Sequence, residues 1–302
     1  MFLATEGFKN IVLSSDQMNK HGHEQRKGFL QILEFVEVKD CGDIGTLFSA
    51  KLRQALKNLK SVKILSCKSL EAVFELEEED EESKEEEELP LLSSLTRLEL
   101  SDLPELKCIW KGPTRHVNLH SLNCLILRNL DKLTFIFPPS LSQSLSQLET
   151  LEVENCRELK HVIREKDGDE RKIIAESLGF PKLKTLYIPR CGKLEYVFPV
   201  SVSLTLQNLE RMTISYVYNL KQIFGPDDHA SPVNVEKGMV LPNLKELSLE
   251  QLSSIVCFSF GCCNFSFPRL EKLKVDEDAR LCTKFTITPD GSMSAQSEVL
   301  LI

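Results

Sequence analysis

Ten cysteines and six histidines would supply metal ligands or a redox pair if their spacing brought them together. Structural zinc sites need close ligand pairs such as C-x-x-C, completed to four ligands elsewhere. Cys41, Cys67, Cys156 and Cys191 are instead 26 or more residues apart and recur at one step of a repeated pattern, the placement of a small buried hydrophobe. Cys262 and Cys263 are adjacent, and adjacent cysteines bridge only with strain, so they read as free thiols. His21 and His23, like His116 and His120, have no Cys, Asp or Glu at ligand spacing and read as solvated loop residues. No Ser-His-Asp, Cys-His or paired-carboxylate set can be placed, because the conspicuous polar residues alternate along regular wet faces. The chain is therefore read as having no catalytic residue, no metal and no cofactor, and not as an enzyme.

Phe48, Phe74, Trp110, Phe137, Phe198, Phe224 and Phe285 also recur at one step. One aromatic per unit is the signature of a packed internal spine more than of a ligand box. The run Glu75 to Glu88, "ELEEEDEESKEEEE", holds 11 of the 45 acidic residues, and the rest of the chain has 36 bases against 34 acids. The net charge of −8 is thus local, and the run reads as a solvated loop. A near-neutral remainder without a basic stripe argues against nucleic acid as a partner. No 18-residue apolar run exists for a membrane span, and the start "MFLATEGFKNIVLSSD" lacks the blocks of a secretory signal, so the expected location is the cytoplasm or the nucleus. A single sequon, Asn264-Phe265-Ser266, agrees with reduced thiols.

The elements that would position any site come from a repeat. Aligned on Leu33, Leu59, Leu95, Leu122, Leu148, Leu183, Leu209, Leu244 and Leu270, nine units share the template L-x-x-L-x-L-x-x-C/L-x-x-L-x-x-V-F, with one more apolar residue three positions upstream. Of these 72 positions 69 are apolar or Cys, where the chain's composition would place about 30. The exceptions are Ser259, Asp278 and Lys284, and two of them fall in the last unit, which has solvent on one side. Leu151 and Val153 alternate with Thr150, Glu152 and Glu154, the period of a strand with one dry and one wet face. Beyond it, the three-residue spacing of Cys156, Leu159 and Val162 predicts a turning, partly 3₁₀ path. The 4-then-3 spacing of Leu52, Leu56 and Leu59, of Leu141, Leu145 and Leu148, and of Val202, Leu206 and Leu209 predicts helical returns. Pro181, Pro242 and Pro268 predict extended approaches to the next strand. Polar segments such as "REKDGDERK" and "GPDDHASPVNVEKG" lengthen some units and read as surface loops.

At "LETLEVENCRELKHVI" and "LKTLYIPRCGKLEYVF" the pattern resembles a leucine-rich repeat. From about Leu30 to Phe285 the chain is similar to the C-terminal repeats of plant intracellular nucleotide-binding immune receptors of the coiled-coil class, through Cys or Leu at the eighth step, the closing Val-Phe and the "FPxL" entries. The resemblance implies protein partners: a pathogen effector, a guarded host protein, or a nucleotide-binding domain of the same receptor held inactive. No G-x-x-x-x-G-K-[ST] phosphate loop occurs, so the chain is expected to be a fragment of a longer receptor or a stand-alone sensor. The alternative is a non-immune scaffold or a ubiquitin-ligase substrate-receptor repeat domain.

The expected fold is an α/β solenoid, a leucine-rich-repeat arc with a concave parallel sheet of about nine short strands and a convex side of helices and loops. Nine units occupy residues 29–285, after an irregular segment or partial repeat over 1–28 and before a tail over 286–302. Partner binding is expected at the outward strand positions Arg97, Glu99, Arg128, Glu152, Glu154, Tyr187, Arg211, Thr213, Glu246 and Glu250, with Arg190 and Tyr216 at the edge. Deleting Glu77 to Glu88 should leave the melting temperature nearly unchanged, since a charged insertion buries little and loop closure depends only logarithmically on length. A thermal scan that shows lost secondary structure would make the run a structural element instead.

Overall fold

A computed structural model describes residues 10–14, 33–49, 56–76, 90–164, 179–226, 238–259, 264–276 and 283–297. Its organising element is a ten-stranded parallel sheet on the concave side of a solenoid arc. Nine strands come from the nine units, in chain order: Phe35–Lys39, Ser61–Leu65, Arg97–Ser101, Cys124–Arg128, Thr150–Glu154, Thr185–Pro189, Arg211–Ser215, Glu246–Glu250 and Lys272–Val275. The tenth, Asn10–Ser14, pairs along its whole length with Phe35–Lys39, so the segment read as irregular or a partial repeat contributes a full rung. Neighbouring strands pair in the template register, with Leu151 beside Leu125 and Leu186.

Burial explains the stacking. In coils two to eight every template position, Ser259 included, is buried, whereas Ile44 and Leu47 of the first coil and Leu270, Leu273 and Val275 of the last stay partly open. A fully buried leucine contributes roughly 1.5–3 kcal/mol. Adjacent coils supply the walls that make the burial complete.

Each of the first eight coils leaves the sheet through one residue in the left-handed region: Asp40, Ser66, Asp102, Asn129, Asn155, Arg190, Tyr216 and Gln251, with φ between 53° and 60°. Its amide continues the strand's alternation and points to the next coil, while the left-handed conformation turns the chain out of the sheet after it. Asp102 donates to the carbonyl of Arg128 at 3.0 Å, Asn155 to Pro189 at 2.9 Å, Arg190 to Ser215 at 2.8 Å and Tyr216 to Glu250 at 2.9 Å, each acceptor being the last residue of the following strand. Side chains extend the ladder where they are short: Asn129 Nδ2 donates to Asp102 Oδ1 at 2.6 Å, and Asn155 Nδ2 to Asn129 Oδ1 at 2.7 Å.

The tight turn predicted by the three-residue spacing is present: the amide of Leu159 donates to the carbonyl of Cys156 at 3.2 Å, and Leu106 and Leu194 repeat the bond to Leu103 and Cys191. It does not continue. The closing steps straighten into further parallel ladders, Thr46–Phe48 with Ala72–Glu75 and Cys108–Lys111, Phe135–Phe137 with His161–Ile163, and Phe198–Pro199 with Phe224–Gly225. The aromatic spine runs through them, with Phe48 and Phe74 stacked at 5.2 Å and Phe74 and Trp110 at 5.1 Å. The indole N–H of Trp110 is satisfied by the Ile136 carbonyl at 3.0 Å.

Among the described residues helix is scarcer than the leucine spacing predicts; the return through Leu52 lies largely outside them. Among the described residues the α-helices are single turns, Pro139–Ser142 and Val200–Ser203, each entered from proline. The residues before the next strand form separate tight turns in place of a second helical turn: the amide of Ser144 donates to the Leu141 carbonyl at 3.0 Å and that of Leu148 to Leu145 at 3.2 Å. The prolines before the strands close turns instead of forming extended approaches. Leu183 donates to the Phe180 carbonyl at 3.1 Å and Leu244 to Leu241 at 3.4 Å, which puts Pro181 and Pro242 at the second turn position, where a fixed φ belongs. The segment read as a tail is also structured: Met293–Ser297 pairs antiparallel with Thr283–Ile287 and with Asn264–Phe267. Most of the acidic run, His21, His23, Cys262, Cys263 and the larger part of both polar loops lie outside the described residues.

Cys41, Cys67, Cys156 and Cys191 are buried thiols outside any disulfide. Burial pushes the Cys41 thiol up to about 11 and raises Cys67 as well, while Cys156 is raised chiefly by its hydrogen bond with Cys191 and then by burial. An acid whose folded pKa is raised favours the native state fully below its unfolded pKa and loses that contribution as pH climbs through the folded value. Stability should therefore fall between about pH 9 and pH 11, as thermal melts would show. At neutral pH a disulfide reagent should leave these four thiols unreacted until denaturant is added. Rapid labelling of the folded protein would contradict their burial.

Candidate functional site

Between its buried rows the concave sheet presents three outward rows, because side chains alternate faces along each strand. In register, the first row runs Arg97, Cys124, Thr150, Thr185, Arg211, Glu246 and Lys272. The second runs Glu99, Ile126, Glu152, Tyr187, Thr213, Ser248 and Lys274. The third holds Ser101, Arg128 and Glu154, then Pro189, Ser215 and Glu250. All ten strand residues expected to meet a partner lie on these rows, across coils three to eight. Arg190 and Tyr216 stand one residue beyond their strands, in the left-handed corner column. Ser101, Ile126, Pro189 and Ser215 are buried by their surroundings and offer little contact surface.

Charge on this face is paired locally. The Arg128 guanidinium is ringed by Glu152 at 2.7 Å, Glu154 at 3.6 Å and Glu99 at 3.9 Å. Arg97 joins Glu99 at 3.2 Å and also donates to the Cys124 sulfur at 3.1 Å. At the other end Lys272 and Lys274 hold Glu246 and Glu250, each at 2.6 Å. The hydrogen bond from Lys272 keeps the Glu246 carboxyl below the usual range, Lys274 and then Ser248 do the same for Glu250, and both lysines are raised in return. Between the two clusters, coils six and seven carry Tyr187, Thr185 and Thr213. Arg211 there donates to the Thr185 hydroxyl at 3.1 Å and forms no ion pair among the described residues, although its charge helps to lower the Glu246 carboxyl.

Sequence reasoning missed Cys124, Lys272, Lys274 and Tyr218. The two lysines occupy the same template steps as Arg97 and Glu99, a legible signal in the unit that has solvent on one side. Tyr218 is 53% exposed in the turn after the seventh strand, off the alternating pattern, and nothing in the repeat points to it. Among the described residues, no group of three or more His, Cys, Asp or Glu is placed to hold a metal ion, and no helix is long and apolar enough to cross a membrane.

Residues 7–157 and 158–294 match the leucine-rich repeats of plant disease resistance protein RPS2-like sequences. The leucine-rich repeat domain of the type III effector XopL aligns with a TM-score of 0.44 and 18% identity, covering 73% of this chain and 72% of that one. A leucine-rich repeat protein of Leptospira interrogans aligns with a TM-score of 0.30 and 17% identity, over 91% and 79% of the two chains. No curated protein matches the chain.

The Arg128 cluster generates a test of the face's electrostatics. Partly exposed pairs contribute about 0.2–1 kcal/mol each, so Arg128→Met should cost on the order of 1–2 kcal/mol by leaving three carboxylates facing one another. Repulsion of that kind is screened by salt. Thermal melts at low and high ionic strength should show the loss shrinking as salt rises, and a salt-independent loss would assign it to packing of the arginine stem.

Proposed function

Because the chain belongs to the family of plant disease resistance protein RPS2-like leucine-rich repeats, we propose that it senses protein partners in plant innate immunity. The family is one of protein-interaction repeats. The finer reading is that the concave face meets a pathogen effector or a guarded host protein inside the cell, in the cytoplasm or nucleus, and restrains a nucleotide-binding domain of the same receptor in the absence of that signal.

One observation carries this reading. The first two concave rows run in continuous register through coils three to eight on a stacked backbone, so side chains from different coils form one preorganised surface. Rigid placement lowers the ordering cost of binding. The paired charges favour discrimination between partners over bulk attraction.

Proximity labelling in infected leaf cells tests it, comparing the native chain with Tyr187→Ala plus Arg211→Ala and with the convex pair Lys57→Ala plus Gln143→Ala. The expected outcome is an infection-dependent set of labelled proteins that the concave variant loses and the convex variant keeps. Loss by the convex variant alone, with the concave variant folded and labelling normally, would put recognition on the other side of the arc.

A further inference from the structure

The corner column changes character along the arc. Coils one to five place Asp40, Ser66, Asp102, Asn129 and Asn155 at the left-handed position, and Asp and Asn are the side chains that tolerate it best. Coils six and seven place Arg190 and Tyr216 there, at φ 60° and 56°. The backbone gains nothing from the exchange, because Arg190 N–H reaches Ser215 at 2.8 Å much as Asn155 N–H reaches Pro189 at 2.9 Å. Arg190 gains a long ion pair to Glu154 at 3.9 Å, but a bulky residue held in a sparsely populated conformation with no gain in backbone bonding points to a role for its side chain.

Those side chains build a patch. The Arg190 guanidinium lies 5.7 Å over the Tyr216 ring. Tyr187, Tyr216 and Tyr218 are 37%, 41% and 53% exposed, and they are three of the chain's four tyrosines. None of their hydroxyls has a hydrogen-bond partner among the described residues. Beside them Arg211 donates to Thr185 and, among the described residues, forms no ion pair; the next carboxylate in register, Glu246, is held by Lys272 at 2.6 Å, and Arg190 reaches Glu154 only at 3.9 Å. Carboxylates flank the patch on both sides, Glu152 and Glu154 before it and Glu246 and Glu250 after it, and they would repel a polyanion. The geometry therefore has room for one negative charge next to apolar rings.

Resting on the concave-face reading above, we infer that coils six and seven dock an extended polypeptide segment carrying a single carboxylate beside an aromatic or proline side chain. The carboxylate pairs with Arg211, and the apolar side chain packs on Tyr187 and Tyr216. Tyrosine and arginine are the types most enriched where binding energy concentrates.

The test uses a displayed library of random peptides of about ten residues, long enough to span roughly 33 Å when extended, selected on the full chain. Enriched peptides should share one Asp or Glu near an aromatic residue or proline. Arg211→Glu should weaken them about tenfold or more, the change expected at a hot spot. Exchanging the peptide's acid for Lys should restore binding to Arg211→Glu, a result misfolding cannot produce. Tyr216→Asn should weaken binding while holding or raising the melting temperature, because it installs the residue type that the earlier corners use. Basic or uncharged consensus peptides, no enrichment at all, unchanged binding to Arg211→Glu, or a lower melting temperature for Tyr216→Asn would each overturn the proposal. If the enriched peptides respond to Arg128→Met instead, the patch falls and the concave-face reading stands. If only the convex Lys57→Ala plus Gln143→Ala pair matters, both fall.

Discussion

The amide at the corner after the strand of each of coils one to eight governs this architecture, because it bonds the following coil and not its own. It continues the alternation of the strand before it and points sideways, in coils one to seven onto the carbonyl that ends the neighbouring strand, as with Asn129 onto Glu154 at 3.0 Å, and the left-handed residue then turns the chain out of the sheet. That single direction keeps successive strands level, and level strands put Leu125, Leu151 and Leu186 into one buried row. Stability then depends on neighbours more than on any coil's own contacts. Damage at a corner should spread to both adjoining coils.

Much of this was legible from periodicity alone. The alternation around Leu151 and Val153 identified strands, their dry face and the outward rows, because a period of two has one solution. The corner conformation was not legible, since Arg190, Tyr216 and Gln251 carry no propensity for it and only the structure shows them filling the place of Asp and Asn. Helix was overread: Val202, Leu206 and Leu209 have helical spacing, yet a turn followed by a strand entry buries the same three leucine-like side chains in fewer residues. At the site, row membership followed from the template, but the ring of three carboxylates around Arg128 depends on which long side chains cross between strands, and spacing does not encode that.

The face also shows how a surface of mixed charge can be selective. Arg97, Arg128, Lys272 and Lys274 already have carboxylates, so a partner must match or displace existing pairs to engage them. Coils six and seven carry less of that internal neutralisation: Arg190 meets Glu154 only at 3.9 Å, and Arg211 forms no ion pair among the described residues. Contact there requires little rearrangement, whereas contact on either side is conditional on exchanging one ion pair for another, which penalises a mismatched partner.

The antiparallel hairpin at the C-terminal end has a consequence for polarity. A stack of parallel strands is directional, like a filament with distinct ends, and each end can in principle template another copy. Met293–Ser297 runs against the strand it joins, Asn264–Phe267, so a second arc arriving head to tail would meet a rung of the opposite sense. On the concave side the terminal strand carries Lys272 and Lys274, and edge lysines oppose further pairing. At this end the hairpin and the edge lysines oppose the drawing of chains together into fibres by the repeat that drives coils together within the chain.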